Sequence, residues 1–352
     1  MHFARTSIAI AIAALSMTAQ AQTNIQLYGL VDAGVEYVDK VRTGGVGSAT
    51  DSVVRVQSGS AQSSRFGFRG REDLGGNLSA VFALESGIAI DTGTLSQGGR
   101  LFGRHAYVAL NHKSLGELQL GRQTTTVYDF GVLYDPITAS KYSAVVFDAM
   151  YAGRADNAVK YVGKFGGLSI GAQHSTGFDS LIAGGSEVPG ASRVGKETGV
   201  HASYLAGPAQ FGVVYDRQNG TSVATQRATI ERMTVGGAYD VVPVKLFAAY
   251  QRLRTETPAI RRDTDLYWVG AKYSSGGAFS LAGSLYFNDP DGSANRSTML
   301  AFLASYALSK RTDLYAELAF MKNQDTATLG MGGAVNPGDR QGGAIVGIRH
   351  RF

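Results

Sequence analysis

The sequence predicts an all-β fold: a 16-stranded antiparallel transmembrane β-barrel built by one domain, residues 22–352. Three observations predict it. Most of the chain beyond residue 21 reads as short segments in which apolar and polar residues alternate with period two, the pattern of a strand with one apolar and one wet face. The connections between segments alternate short and long, and the strand count is even, as in barrels that cross outer membranes. No stretch after residue 21 supplies the roughly 20 apolar residues of a membrane-crossing helix, so such a chain can cross a bilayer only as a closed barrel.

The elements follow in order. "MHFARTSIAIAIAALSMTAQAQ" carries Arg5, an apolar run Ile8–Leu15 too short to span a bilayer, and an Ala-Gln-Ala pattern, and reads as an export signal cut after Ala21. Its removal lowers the formal charge from +5 to +4, because the segment holds Arg5 and no acid. "IQLYGLVDAGVEY" then sets Ile25, Leu27, Val31, Val35 and Tyr37 against Gln26, Asp32 and Glu36. "SRFGFRG" sets Phe66 and Phe68 against Arg65 and Arg69. "NAVKYVGKF" sets Val159, Tyr161 and Phe165 against Lys160, Val162 and Lys164. "AFSLAGSLYFN" and "TDLYAELAF" repeat the pattern. Sixteen strands are expected to start near residues 25, 62, 77, 100, 117, 157, 168, 197, 209, 231, 243, 264, 278, 296, 312 and 342. Short turns such as "FGG", "AGPA" and "VVP" alternate with long polar loops at about 39–60, 89–99, 124–156, 177–195, 218–230, 256–263, 289–295 and 324–341. The chain closes on "AIVGIRHRF", with Val346, Ile348 and Phe352 on one parity and Arg349 and Arg351 on the other.

The strand rhythm alone also fits a soluble β-sandwich. Sixteen strands with polar inner residues favour the barrel, because a barrel of that size leaves an aqueous channel. The absence of cysteine excludes a disulfide scaffold and thiolate metal sites. His105, His112, His174, His201 and His350 show no ligand spacing, so neither a metal nor a cofactor is expected. No aromatic-interleaved basic patch points to nucleic acid. "GASRVGKE" lacks the hydroxyl of a phosphate-binding loop, since Glu197 stands in its place. "GLSIG" runs through a strand with no elbow for Ser169.

"IQLYGLVDAGVEY", "SRFGFRGREDLGGNLSAVFALESG", "RLFGRHAYVAL", "GELQLGRQ", "NAVKYVGKF", "LSKRTDLY" and "GIRHRF", in this order, resemble the general diffusion porins of Gram-negative outer membranes, most closely the β-proteobacterial branch. The resemblance covers nearly the whole mature chain. It implies short periplasmic turns, long extracellular loops, a homotrimer in contact with outer-membrane lipids and lipopolysaccharide, and passive passage of small hydrophilic solutes and inorganic ions. It also implies that the last strand closes on the first and that Phe352 is part of the signal read by the outer-membrane assembly machinery.

In this family the third long loop folds inward and narrows the channel, with acids facing wall arginines. The resemblance assigns Arg65, Arg122 and Arg154 to the basic wall, and Arg69 shares the parity of Arg65. It assigns Asp129 to the loop, while Asp135 and Asp148 are added because they lie in it. Lys160 and Lys164 are expected to face the lumen. Two departures stand out. Alternation from Leu118 and Leu120 points Arg122 outward unless the strand bulges or ends at Gly121. The Pro-Glu-Phe-Gly loop motif of some porins is absent. Basic groups outnumber acids, and rings of Arg or Lys favour anions, so a weak to moderate anion preference is expected and no enzymatic activity. Two other functions remain open at this point: an adhesin or receptor acting through its loops, and an outer-membrane hydrolase using Ser169.

Overall fold

A computed structural model describes residues 24–138, 140–181 and 187–352. The expected export signal lies outside the described residues. Among the described residues there are eighteen strand segments. β1 (Asn24–Arg42) is followed by β2 (Thr50–Ser58), β3 (Arg65–Gly75), β4 (Leu78–Ala89), β5 (Thr94–Leu95), β6 (His105–His112), β7 (Gly116–Thr124), β8 (Arg154–Phe165) and β9 (Leu168–Ser175). Then come β10 (Glu197–Ala206), β11 (Ala209–Asn219), β12 (Thr229–Val241), β13 (Val244–Glu256), β14 (Arg261–Ser274), β15 (Phe279–Pro290), β16 (Ser297–Ala307), β17 (Thr312–Asn323) and β18 (Arg340–Arg351).

The upper part of β1 pairs with β2 and its lower part with β3, so these two segments make one stave interrupted at residues 59–64. β5 is a two-residue bridge folded onto Ile88 and Ala89. The barrel therefore has sixteen antiparallel staves, closed by β1 against β18. Closure removes the open edges, whose unpaired backbone groups lipid could not satisfy.

At the seam the backbones of Gly29 and Phe352 exchange two hydrogen bonds of 3.0 Å. The Phe352 ring lies over Gly29, where a Cβ would come within 2.2 Å of it. The terminal aromatic thus needs the missing side chain of Gly29 to lie flat on the outer face.

The outer face is apolar and exposed along its circumference, as at Leu27, Val108, Leu120, Val235, Val269 and Phe320. No helix among the described residues is long and apolar enough to cross a membrane.

The sixteen expected staves are present, with two changes. The first long loop is shorter than expected, because β1 runs to Arg42 and β2 occupies Thr50–Ser58 inside the expected stretch 39–60. The inner face is also not uniformly polar. Leu266, Trp268, Tyr286, Met299 and Met321 lie on the inner parity and are nearly fully buried. They share one buried cluster with side chains of the segment between β7 and β8, which lies inside the barrel.

Candidate functional site: the gap between the inward loop and the wall

After β7 the chain enters the lumen as a helix, α1 (Thr126–Tyr134), whose first turn is capped by the Thr125 hydroxyl accepting from the Tyr128 N–H at 3.2 Å. Two 3₁₀ turns follow, Ala144–Val146 and Ala149–Ala152, before β8 begins at Arg154. The loop is anchored to the far wall by apolar packing. Phe130, Tyr134, Ile137 and Tyr151 join Trp268, Tyr286 and Met299 in one buried cluster. The indole of Trp268 donates to the Tyr134 carbonyl at 2.9 Å, and Tyr151 meets its ring edge-on at 5.6 Å. Burying each such side chain stabilises the arrangement by roughly 1.5–3 kcal/mol, which holds a segment of this length against the wall.

The loop carboxylates serve the same attachment. Asp135 accepts from the Ile137 and Ala144 amides at 3.1 and 3.0 Å and from the Tyr286 hydroxyl at 2.8 Å. Its burial raises its carboxyl above the ordinary value. Asp148 accepts from the Met150 amide and the Gln251 amide group and pairs with Arg232 at 2.7 Å. Asp129 accepts from Thr124 at 3.0 Å and pairs with Lys160 at 2.5 Å. Each of the three acids is thus engaged by the wall or by the loop itself.

On the opposite side the loop leaves a gap of about 240 Å³. Its walls are the 58–65 break between β2 and β3, Arg104 before β6, Arg154 opening β8, and loop residues Tyr128, Ser140 and Lys141. Four basic side chains line this gap, Arg65, Arg104, Lys141 and Arg154, and no acidic side chain among the described residues does. Glu85 stands behind Arg65 and Arg104, at 3.5 and 2.5 Å. Glu36 holds Lys141 and Arg55, both at 2.7 Å, and accepts from the Tyr142 hydroxyl at 2.6 Å. Desolvation lowers the Lys141 ammonium from its ordinary value, opposed by Glu36. Arg154 donates to the Ala152 carbonyl, lies 5.5 Å from the Tyr128 ring centre, and makes no ion pair among the described residues. Each acid behind the gap is thus shared by two cations, and Arg154 has none. A narrow wet passage in a low-dielectric wall focuses such an excess of one sign.

A family model described as Gram-negative porin matches residues 7–326. The chain belongs to the Gram-negative porin family. An outer membrane porin protein of Bordetella pertussis is 31% identical over 99% of this chain and 100% of its own length. Outer membrane porin protein 32 of Delftia acidovorans is 32% identical over 99% of each. The solved anion-selective porin from Comamonas acidovorans superposes with a TM-score of 0.81 at 30% identity, covering 94% of this chain and all of that one. The protein is an outer-membrane porin, a channel rather than an enzyme. Ser169 accordingly sits in a regular ladder between Lys164 and Ser203.

The porin brings Arg65 and Arg154 to one gap, but not Arg122. The strand does bulge between Gly121 and Gln123, where Gly121 has φ +130° and a Cβ would come within 2.2 Å of the Ala106 carbonyl oxygen. Yet Arg122 still pairs with Ala106, on the side of exposed Val108 and Leu110, as alternation from Leu118 and Leu120 dictates. Its guanidinium donates to the Gly103 carbonyl at 2.7 Å and to Asp156, which also pairs with Arg100. Arg122 thus does not reach the gap; it lies in a separate cluster in which Arg100 and Arg122 face Asp156 and Asp179.

Arg69 lies beyond the gap, donating to Gln26 and resting over Tyr28 at 5.1 Å. Lys160 does face the lumen but is consumed by Asp129, and Lys164 sits beside the Phe165–Leu168 turn. Asp129, Asp135 and Asp148, expected as acids of the constriction loop, lie in the loop, but none of the three lines the gap.

Arg104 and Lys141, which line the gap, and Glu85, which pairs with Arg65 and Arg104 behind it, are positions that the sequence reading missed. Glu85 was accessible through parity, because Leu84 and Ser86 flank it in β4 and its strand neighbour in register is Gly67 beside Arg65. Arg104 sits just outside the alternating part of β6 and carries no periodic signal.

Proposed function

We propose that this porin passes small hydrophilic solutes and inorganic ions by passive diffusion, with a weak to moderate preference for anions. The observation that carries the reading is the lining of the gap: four basic side chains and no acidic one among the described residues. The loop acids that would offset them are drawn into the attachment of the loop. The 30% identity to a porin described as anion-selective points the same way.

The proposal extends to the mature form and its surroundings. Residues 1–21 serve as a cleaved signal and 22–352 as one barrel domain. Three copies associate as a homotrimer in contact with outer-membrane lipid and lipopolysaccharide. Phe352, packed on Gly29 at the seam, serves recognition by the outer-membrane assembly machinery. Its deletion should lower outer-membrane yield while inserted channels conduct normally.

Ion substitution in planar bilayers tests the preference. Replacing chloride by the bulkier acetate should lower single-channel conductance much more than replacing potassium by lithium. The opposite ranking would exclude an anion-preferring channel. A barrel that inserts without conducting would favour a receptor acting through its loops.

A further inference from the structure

A second cavity, of about 510 Å³, lies beneath the inward loop on the short-turn side. Gln62 lines both this cavity and the basic gap, so the two adjoin around the break between β2 and β3. Its floor is the inner face of β15 and β16, where Ser280, Ala282, Ser305 and Ala307 leave the space open. Four cations surround it: Lys272 on β14, Lys310 in the β16–β17 turn, and Arg349 and Arg351 on β18. Among the described residues one acid faces them. Asp313 accepts from Arg349 at 2.7 Å and from Arg351 at 3.0 Å. Lys272 and Lys310 are exposed and make no ion pair among the described residues. Lys245, opposite Lys272 in register, is engaged by Asp240 at 3.5 Å.

We propose that this vestibule is a second anion station, in series with the gap, that holds small divalent oxyanions or dicarboxylates more strongly than chloride. It rests on the anion preference above and names the solute class that preference would serve. Asp313 takes the Nε–Nη2 edge of Arg349 and Nη1 of Arg351, which holds the two guanidinium planes in place, and their other N–H groups, which have no partner among the described residues, suit an oxyanion. The two lysines supply mobile charge at the rim. A dianion gains about twice the Coulomb attraction of chloride from the same groups. The cavity volume leaves room for the ion with part of its hydration, so entry does not require full dehydration. An ion leaving the gap meets these groups before bulk solvent, and two stations in series allow one ion to be exchanged for the next.

Sulfate is the probe. Chloride current through the full-length porin is recorded in planar bilayers while potassium sulfate is added to either side in turn. Sulfate should reduce the wild-type current at lower concentration from the short-turn side. The double variant Lys272→Gln, Lys310→Gln should need at least about threefold more sulfate, the size expected for two charges acting through several ångströms of screened water. Heat-modifiable migration in SDS verifies that the variant barrel is folded. Equal sulfate sensitivity in wild type and variant would overturn the station. A wild-type KCl reversal on the cation side, with sulfate block still lost in the variant, would overturn the anion preference and leave the station standing.

Discussion

The two halves of the barrel's inner wall have the same geometry and opposite chemistry. On β14 to β17 the inner positions include Trp268, Tyr286, Met299 and Met321, all nearly fully buried under the loop. Around the gap, from the 58–65 break to β8, they include Arg65 and Arg154, with Arg104 beside them. The difference teaches that the lumen face is not one environment. Where the loop covers the wall, the inner residues behave as a protein core. Where water remains, they carry charge. The loop acids sit on the boundary, and the covered side claims Asp135 and Asp148, which leaves the wet side with an excess of cations.

Removing the core contact should break this division most severely. Trp268→Ala deletes the indole that donates to Tyr134 and packs on Tyr151 and Tyr286. A large-to-small change at such a site costs about 3–5 kcal/mol. The loop should lose its seat, with a lower thermal transition and a larger, noisier single-channel conductance. Unchanged conductance would mean that the loop is held without this side chain.

Asp148→Asn sharpens the boundary. Arg232 keeps Asp216 at 3.1 Å and Gln218, so the loss should be smaller, about 1–3 kcal/mol. One negative charge leaves the loop, so the zero-current potential in a KCl gradient should move further toward anions. A shift toward cations would contradict the role given to the loop acids.

Neutralising the wet side should act on selectivity and not on stability. Arg65→Gln with Arg154→Gln should leave the thermal transition nearly unchanged and move the zero-current potential toward cations. The shift should be larger at low salt, where the Debye length is longer. The smallest effect belongs to Arg122→Gln. Arg122 and Arg100 share Asp156 and Asp179 apart from the gap, so selectivity should stay close to the wild-type value. A shift as large as that from Arg65 would return Arg122 to the constriction.

The staves were legible because lipid imposes one rule on every outward position, from Leu27 to Val346. The same alternation puts Arg122 on the outward parity, where it pairs with Ala106. The first loop was overextended because β1 and β2 continue into residues whose polar composition resembles a loop. The inner core was missed because Trp268 and Tyr286 look like breaks in alternation until the loop covers them. The loop acids were found, but not their partners. Asp129 meets Lys160 across 31 positions, and Asp135 meets Tyr286 across 151. Such pairings follow from how the loop lies in the lumen, which no local pattern encodes. Whether an acid opposes the arginines or anchors the loop is therefore decided only in three dimensions.

The most direct measurement is the zero-current potential of the wild-type channel in a tenfold KCl gradient. The excess of cations around the gap predicts a potential on the anion side, growing as total salt is lowered. A potential on the cation side at low salt would contradict the account, because carboxylates would then control the passage despite their attachment to the wall.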